Sequence, residues 1–349
     1  MNQTLKRSHP ALRLLALTLC LCLLGGCSVT GEAAPEKTSG VGFYFDTVVT
    51  ITLYGADDTL LQDIWAACAR YEALLSKTVP DSDVSRINLS GGMPAAVDPE
   101  TVQILRRAGE LSRATGGAFS VTIAPLTALW DFTGGTRRMP TEAQRLAALP
   151  LVDDTRIAID DGAVTLPQGM QIDLGGIAKG YIADRVADLC RGRAQAAVIS
   201  LGGNVYVLGD KPDGSPFRVG IRDPFAGEDS PLAVVSVYDA TVVTSGTYER
   251  GFDVDGVWYH HILDPKTGLP ARSDLVSATV ICGDSMTADA IATACIVLGR
   301  EESIRLMNTL GLSGVLIARD GSVTVLDAQP GTFGFNLLKE ADVTYISQP

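Results

Sequence analysis

Residues 173–208 read DLGGIAKGYIADRVADLCRGRAQAAVISLGGNVYVL, and they show both kinds of secondary structure found in the rest of the chain. Two glycines, Gly175 and Gly176, precede apolar residues at helical spacing, so we predict a helix over 178–191. The segment 197–208 is rich in β-branched residues, which is typical of a strand. This stretch therefore joins a helix to extended structure through glycine-rich turns.

The flanking sequence continues the same mixture. Apolar residues at helical spacing predict helices over 58–76, 99–115, 286–298 and 301–310. Alternating segments predict strands over 43–54, 217–222, 232–243, 257–263 and 276–282, and hairpins over 156–166 and 314–326. Because hairpins are interspersed with isolated helices, the order predicts an α+β fold rather than a strict βαβ alternation.

The first residues have the features of an export signal. Three basic residues precede an uncharged apolar run over 14–24, which is short for a membrane span. The run ends in Leu24-Gly25-Gly26-Cys27, which looks like the lipobox of bacterial lipoproteins; the alternative is an ordinary secretory signal with an unrelated cysteine. We therefore predict a signal peptide over 1–26, lipidation of Cys27, and attachment to the extracytoplasmic face of the cell membrane.

The residues after Cys27 change in composition. Small, polar residues and little to bury over 27–40 predict a flexible tether, and 41–349 is then the folded domain. The formal net charge is −12. The charged residues of the predicted signal peptide are all basic, so the remaining chain has a more negative net charge. This charge argues against nucleic acid as a partner.

Two segments have the residue types of a phosphate and metal site. In the first, Asp173 precedes Gly175, Gly176 and Lys179, and a glycine turn at a helix N-terminus suits an anionic ligand. In the second, Asp289 and Thr293 lie four residues apart, which places two hard oxygen ligands on one helix face and favours magnesium over zinc. Taken separately, each segment is also compatible with ordinary helix capping.

A pair of histidines forms a third candidate. His260 and His261 are the only histidines after residue 27, and neighbours on a strand point to opposite faces. At most one of them can therefore face a given site. The following Asp-Pro-Lys-Thr-Gly over 264–268 is a turn signal, so a solvent-exposed strand end is the alternative interpretation.

Taken together and in order, these segments resemble the ApbE family, the FAD:protein FMN transferases. The resemblance spans most of the chain after the signal peptide. It rests on FDTVVTITLYG, SDVSRIN, GGAFSVTIAPLTALWDF, DLGGIAKGYIADR, SLGGNVYVLG, VGIRDP, TSGTYER, HHILDPKTG and ADAIATACIVLG.

The resemblance implies a magnesium-dependent enzyme that cleaves the FAD pyrophosphate. It would link FMN to a Thr or Ser hydroxyl of an acceptor protein and release AMP. Acceptors in the family are typically subunits of membrane redox pumps or other exported flavoproteins. The fold it implies is α+β, with mixed sheets, packed helices and a flavin cleft between two intimate lobes.

The resemblance also assigns roles to particular residues. Asp289, Thr293 and the main-chain carbonyl of Gly176 are the implied magnesium ligands. The implied contacts to FAD are Phe45, Thr78, Ala118, Phe119, Ser120, Asp173, Lys179 and Leu263. The chain departs from the usual pattern at three of them: some members have Met-Gly-Thr over 45–47, members often have an aromatic residue at 78, and they often have Asp at 120.

The chemistry calls for a general base on the attacking hydroxyl. His261 is our candidate, and Asp289 and Asp264 are the alternatives. Two other functions are compatible with the same features: an FAD pyrophosphatase that releases FMN and AMP, and a flavin-binding lipoprotein without catalysis.

Overall fold

The structure is a computed structural model that describes residues 35–130, 132, 138–227 and 230–347. The chain from Pro35 onward forms one compact unit. The predicted signal peptide and Cys27 lie outside the described residues. No helix in the described ranges is long and apolar enough to cross a membrane.

The five predicted helices agree with the structure to within about two residues at each end, and within the described chain the structure adds three helices of seven residues each. Of the predicted helices, 286–298 corresponds to an almost wholly buried helix. The helices in chain order are α1 Leu60–Leu75, α2 Asp83–Leu89, α3 Pro99–Ala114, α4 Ala124–Trp130, α5 Glu142–Ala148, α6 Ala178–Cys190, α7 Ser285–Leu298 and α8 Arg300–Leu310.

The strands form one large sheet and three small ones. In chain order they are β1 Lys37–Tyr44, β2 Thr47–Tyr54, β3 Ala95–Ala96, β4 Ala158–Asp160, β5 Ala163–Thr165, β6 Ala196–Leu201, β7 Asn204–Leu208, β8 Phe217–Arg222, β9 Pro231–Val237, β10 Ala240–Gly246, β11 Gly251–Val254, β12 Val257–His260, β13 Leu275–Cys282, β14 Ser313–Ala318, β15 Val323–Asp327, β16 Phe333–Leu337 and β17 Val343–Ser347. The order in the nine-stranded sheet is β1-β2-β6-β7-β10-β13-β14-β15-β17. Only its β15–β17 pair is parallel, so the predicted α+β class with mixed sheets is confirmed.

The nine-stranded sheet separates two apolar cores. Alternate residues on one face, such as Ile51 and Ile199, pack with helices α1, α6 and α7. Residues on the other face, such as Val207 and Val242, pack with the three-stranded sheet β16-β9-β8. The alternation arises because successive side chains in a strand point to opposite faces. A smaller cluster around Trp130 forms a third apolar centre.

The structure corrects two predicted boundaries near the start of the domain. Residues 37–40, which we assigned to the tether, pair with β2 from Lys37↔Tyr54 to Gly40↔Ile51. The predicted strand over 43–54 is a hairpin that turns at Phe45 and Asp46, whose φ angles are 58° and 57°. The alternating pattern continues through this turn without Gly or Pro, so the sequence carries no turn signal there.

The predicted strand over 232–243 is also divided. Its first part is β9 in the three-stranded sheet and its second part is β10 in the nine-stranded sheet. The chain turns between them at Asp239, which has a φ of 35°. Both parts are largely buried and have a similar apolar composition. The sequence therefore does not indicate where the chain passes from one sheet to the other.

Candidate active site

Helix α7 places Asp289 and Thr293 one turn apart, as the spacing predicts. Asp289 is only 3% exposed, and its Oδ2 accepts a hydrogen bond of 3.0 Å from the Gly180 backbone N–H. The Thr293 hydroxyl donates to the Asp289 carbonyl at 3.2 Å. A buried carboxylate needs partners because desolvation penalises its charge.

The start of α7 is held by a second carboxylate. Asp184 on α6 accepts hydrogen bonds from the backbone N–H groups of Ser285 and Met286, both at 2.9 Å. These donors belong to the first turn of α7, which has no intrahelical acceptors for them. Burial raises the pKa of Asp184 to about 7 against the effect of both donors. Asp184 thereby fixes the position of α7, and with it Asp289, relative to α6.

The glycine turn is connected to Asp289 by a chain of polar contacts. Asp173 accepts from the Gly175 N–H at 2.9 Å and from Lys77 Nζ at 2.6 Å. Lys179 Nζ donates to the Gly175 carbonyl at 3.1 Å and lies 3.9 Å from Asp289 Oδ1. The structure thus brings Asp173, Lys179 and Asp289 together. It also adds Lys77, which the sequence analysis missed because a single lysine in a loop carries no recognisable signal.

Oxygen atoms converge where the turn meets α7. A Cβ built on Gly176 would lie 3.7 Å from Thr293 Oγ1 and 3.3 Å from Phe119 Cε2, so the Gly176 backbone adjoins both side chains. Ser245 Oγ lies 3.2 Å from Thr293 Oγ1 and offers a further oxygen ligand for a cation, which the sequence analysis missed. In the described part of the chain, no three His, Cys, Asp or Glu residues group as metal ligands. One carboxylate with hydroxyl and backbone oxygens fits magnesium, which keeps waters and takes its remaining ligands from substrate phosphates.

His261 has the geometry of a general base. Its backbone N and its Nδ1 both face the Arg250 carbonyl oxygen, at 3.0 and 3.2 Å. Because a carbonyl only accepts, Nδ1 carries the hydrogen and Nε2 has a free lone pair in the neutral ring. Burial lowers the pKa of His261 to about 4, and the positive charges of Arg250 and Lys179 act in the same direction. The ring is therefore neutral at physiological pH.

The other histidine is structural. His260 is buried, and its Nε2 donates to the Ala271 carbonyl at 2.9 Å. The two neighbouring rings point apart, as strand geometry predicts. Asp264 is also engaged, because its carboxylate accepts from the Lys266 N–H and the Thr267 hydroxyl within the turn. Of the three candidates for the base, His261 is the one neutral nitrogen base, whereas the carboxylates of Asp289 and Asp264 already accept hydrogen bonds from Gly180 and from the turn after Asp264.

The residues predicted to line a flavin pocket fall into two groups. Ala118 and Phe119 are both buried, and Phe119 lies beside the glycine turn. Ser120 donates to Asp154 Oδ1 at 2.6 Å and lines a cavity of about 460 Å³. That cavity is also bordered by Gly116, Gly117, Arg113, Pro265 and Lys266.

The remaining three have different surroundings. The Phe45 N–H donates to Glu72 Oε1 at 2.7 Å, which holds the β1–β2 turn against α1. Thr78 contacts the Ser76 hydroxyl at 2.9 Å. Leu263 is 5% exposed and packs in the cluster around Trp130.

Known proteins resemble this chain in sequence. The model of the ApbE family matches residues 45–316. A curated relative from Treponema pallidum (strain Nichols), named FAD:protein FMN transferase, is 34% identical and the match covers 89% of this chain and 92% of the relative. One of the same name from Klebsiella pneumoniae (strain 342) is 38% identical over 73% of this chain and 80% of its own.

Solved structures show the same fold. The crystal structure of the ApbE protein from Thermotoga maritima superposes with a TM-score of 0.78 at 33% identity, covering 82% of this chain and 96% of that one. The apo flavinyl transferase ApbE from Pseudomonas stutzeri superposes with a TM-score of 0.74 at 28% identity, covering 88% and 96%. From the family match, the relatives and the shared fold, we conclude that this chain belongs to the ApbE family.

Proposed function

We propose that this chain transfers FMN from FAD to a Thr or Ser hydroxyl of an acceptor protein, with magnesium as cofactor and AMP as the second product. The observation that carries the proposal is the buried Asp289 carboxylate, joined through Lys179 to the glycine turn and flanked by Thr293. This arrangement pairs a site for a hard cation with a backbone turn suited to phosphate. The names of the relatives, FAD:protein FMN transferase, support the same reaction.

The reaction is a phosphoryl transfer. The acceptor hydroxyl oxygen forms a bond to the phosphorus of the FMN half, and the bond from that phosphorus to the bridging pyrophosphate oxygen breaks. The electron pair leaves with AMP, and the hydroxyl proton passes to Nε2 of His261. Asp289, Thr293 and the Gly176 carbonyl would hold a magnesium ion, which would neutralise the charge of the pyrophosphate.

The residues around the cation have separate tasks. The ammonium group of Lys179 adds positive charge beside the phosphates and stabilises the negative charge that develops on the leaving oxygen of AMP. Asp173 keeps the Gly175 N–H in a fixed direction, and Lys77 neutralises Asp173. The Arg250 carbonyl holds the His261 tautomer in which Nε2 accepts a proton.

One incubation distinguishes this reaction from the two alternatives. The purified chain is mixed with FAD, magnesium and a candidate acceptor, and the products are separated. A transferase yields AMP and a fluorescent acceptor protein, a pyrophosphatase yields free FMN and AMP, and a binding protein leaves FAD intact. Free FMN without labelled protein would refute the proposed transfer.

The metal assignment is tested by paired substitutions. Asp289→Ala should abolish magnesium-dependent AMP release because it removes the only formal charge among the proposed ligands. Thr293→Val should raise the magnesium requirement without abolishing turnover. Thr309→Val is the matched control, since Thr309 also donates to the carbonyl four residues earlier but lies exposed on α8. Circular dichroism checks the fold, and a folded Asp289→Ala protein with normal turnover at low magnesium would overturn the assignment.

We also propose that the chain acts as a lipoprotein on the extracytoplasmic face of the cell membrane. The support is the sequence around Cys27, with basic residues, an apolar run and small residues before the cysteine. Such a position suits acceptors that are membrane redox-pump subunits or exported flavoproteins.

A further inference from the structure

The hairpin formed by β1 and β2 exposes an apolar surface on one side. Gly40 and Gly42 face α1, because a Cβ on either would meet Trp65. The alternate residues therefore point to the opposite side of the sheet. There Val41, Phe43 and Val48 are 73%, 67% and 55% exposed.

This surface extends across the neighbouring strands. The register places Phe43 opposite Val48 and Val41 opposite Thr50, and Thr52 lies opposite Val198 on β6. We define the outer hairpin face as Val41, Phe43, Val48, Thr50 and Thr52. Next to it is a cavity of about 350 Å³ under the three-stranded sheet, lined mainly by Val198, Val205, Val207, Phe217, Val219 and Val242.

The outer hairpin face begins at the catalytic end of the sheet. Arg250 Nη2 donates to the carbonyl of Asp46, in the turn between Phe43 and Val48, at 3.3 Å. The Arg250 carbonyl in turn accepts from His261. Only these two contacts separate the turn from the proposed base. By contrast, the proposed metal and phosphate residues lie on the helix side of the sheet, where Ser245 meets Thr293.

The edge of the sheet is also open at this point. β1 is the terminal strand of the nine-stranded sheet and pairs only with β2 in the described chain. Its outer backbone groups can accept a further strand. Residues 41–52 contain Asp46 as their only formal charge at neutral pH, in a chain with a net charge of −12. The surface is therefore matched to an extended, uncharged segment rich in apolar and β-branched residues.

We propose that the outer hairpin face and the β1 edge bind the polypeptide segment of the acceptor that carries its Thr or Ser hydroxyl. This inference rests on the proposed function, because transfer to a protein requires a peptide surface that continues to the general base. The segment lies along β1 with apolar side chains against Val41, Phe43 and Val48. Its hydroxyl passes the Asp46 turn and reaches His261.

The test uses the full chain and a synthetic peptide as probe. The peptide is taken from around the FMN-bearing residue of a protein that carries covalent FMN in the source cells. The variant is V41T/F43T, because Thr retains strand propensity while removing apolar surface. The matched control is Tyr345→Thr on β17, at the other edge of the same sheet, where Tyr345 is 66% exposed.

We expect V41T/F43T to raise KM for the peptide about tenfold or more, because burial of one large apolar side chain typically strengthens binding by more than about tenfold. The kcat and the FAD dissociation constant should stay within about twofold, since the variant changes no residue at the reacting atoms. Tyr345→Thr should change none of these values. An unchanged KM with normal transfer overturns the docking surface and leaves the proposed function intact.

Amide hydrogen exchange decides the question without catalysis. Added peptide should protect the backbone N–H groups of β1 in the wild type, and absence of protection overturns the proposal even where no FMN is transferred. Failure of the wild type to label the peptide contradicts the proposed function alone. Two other occupants of the face can be recognised if V41T/F43T leaves KM unchanged. Loss of a dimer seen by light scattering would assign the face to a second copy, and loss of binding to phosphatidylglycerol vesicles would assign it to lipid. Either result would overturn the proposed binding of the acceptor segment.

Discussion

Gly180→Ala should damage both the fold and the site, because Gly180 lies where α6 crosses α7. A Cβ at this position would be 2.2 Å from the Ser285 carbonyl oxygen and 2.7 Å from the Met286 Cα. Both are backbone atoms and cannot rotate away. The helices would have to separate by about 1 Å before the contact reached an ordinary van der Waals distance.

Two opposing terms determine the size of the effect. Overpacking of a close interface costs about 1–3 kcal/mol and occasionally more. Ala in place of Gly within a helix returns about 1 kcal/mol. Because the clash involves rigid backbone, we expect a net loss of about 2 kcal/mol in the free energy of unfolding. Separation of the helices also breaks the 3.0 Å hydrogen bond from Gly180 to Asp289, so AMP release should fall with stability.

Urea unfolding followed by circular dichroism measures the loss. The matched control is Gly109→Ala in the middle of α3, where the nearest neighbour of an added Cβ is the flexible end of Arg113 at 3.6 Å. That variant gains helix propensity without a clash and should be as stable as the wild type or more so. Equal stabilisation by Gly180→Ala and Gly109→Ala, with normal AMP release, would refute the reasoning.

Four further predictions concern charge, pH and the anchor. Lys179→Met removes a positive charge 3.9 Å from Asp289. In the absence of FAD, the affinity for magnesium should rise by roughly threefold to tenfold, while the affinity for FAD should fall. Calorimetry that shows equal or weaker magnesium binding contradicts this prediction. The transfer rate should persist well below pH 6 and fall only toward pH 4, where His261 protonates, and a rate that halves near pH 6.5 would argue against this base. His261 takes up a proton near pH 6.5 in the unfolded chain and near pH 4 in the folded chain. The contribution of the neutral ring to the free energy of unfolding is therefore complete above pH 6.5 and is lost as the pH falls toward 4. His261→Gln should reduce this dependence of the free energy of unfolding on pH, as measured by urea titrations at successive pH values. Cys27→Ala should release the chain from the membrane fraction, and continued sedimentation with alkaline-washed membranes would contradict lipidation.

Local patterns predicted the helices well because helix formation depends on nearby residues. The apolar spacing and caps of α3 and α7 lie within the segments themselves, and the structure places their ends within two residues of the prediction. The relation between Asp289 and Thr293 is equally local, since residues four apart share a helix face. The opposite orientation of His260 and His261 follows from strand geometry in the same way.

Contacts between distant segments were beyond the reach of the sequence alone. Lys77 meets Asp173 across 96 residues, and Ser245 meets Thr293 across 48. Neither lysine nor serine at these positions differs from an ordinary surface residue until the chain folds. The resemblance to a family supplied roles for residues with matching motifs, but it did not distinguish His261 from Asp264 as the base.

The sequence by itself determined the α+β class, the main helices, the family and the residue types of the site. These are properties of short segments, where periodicity, capping and turn chemistry act over a few residues. Only the tertiary structure decided that Phe45 and Asp46 turn the chain, that residues 37–40 form the edge of the large sheet, and that Val41 and Phe43 are exposed on its outer face within the described chain. The reason is physical: the left-handed turn is held by Glu72 on α1 and Asp46 by Arg250, so residues far away in the chain stabilise a conformation that the local sequence does not signal.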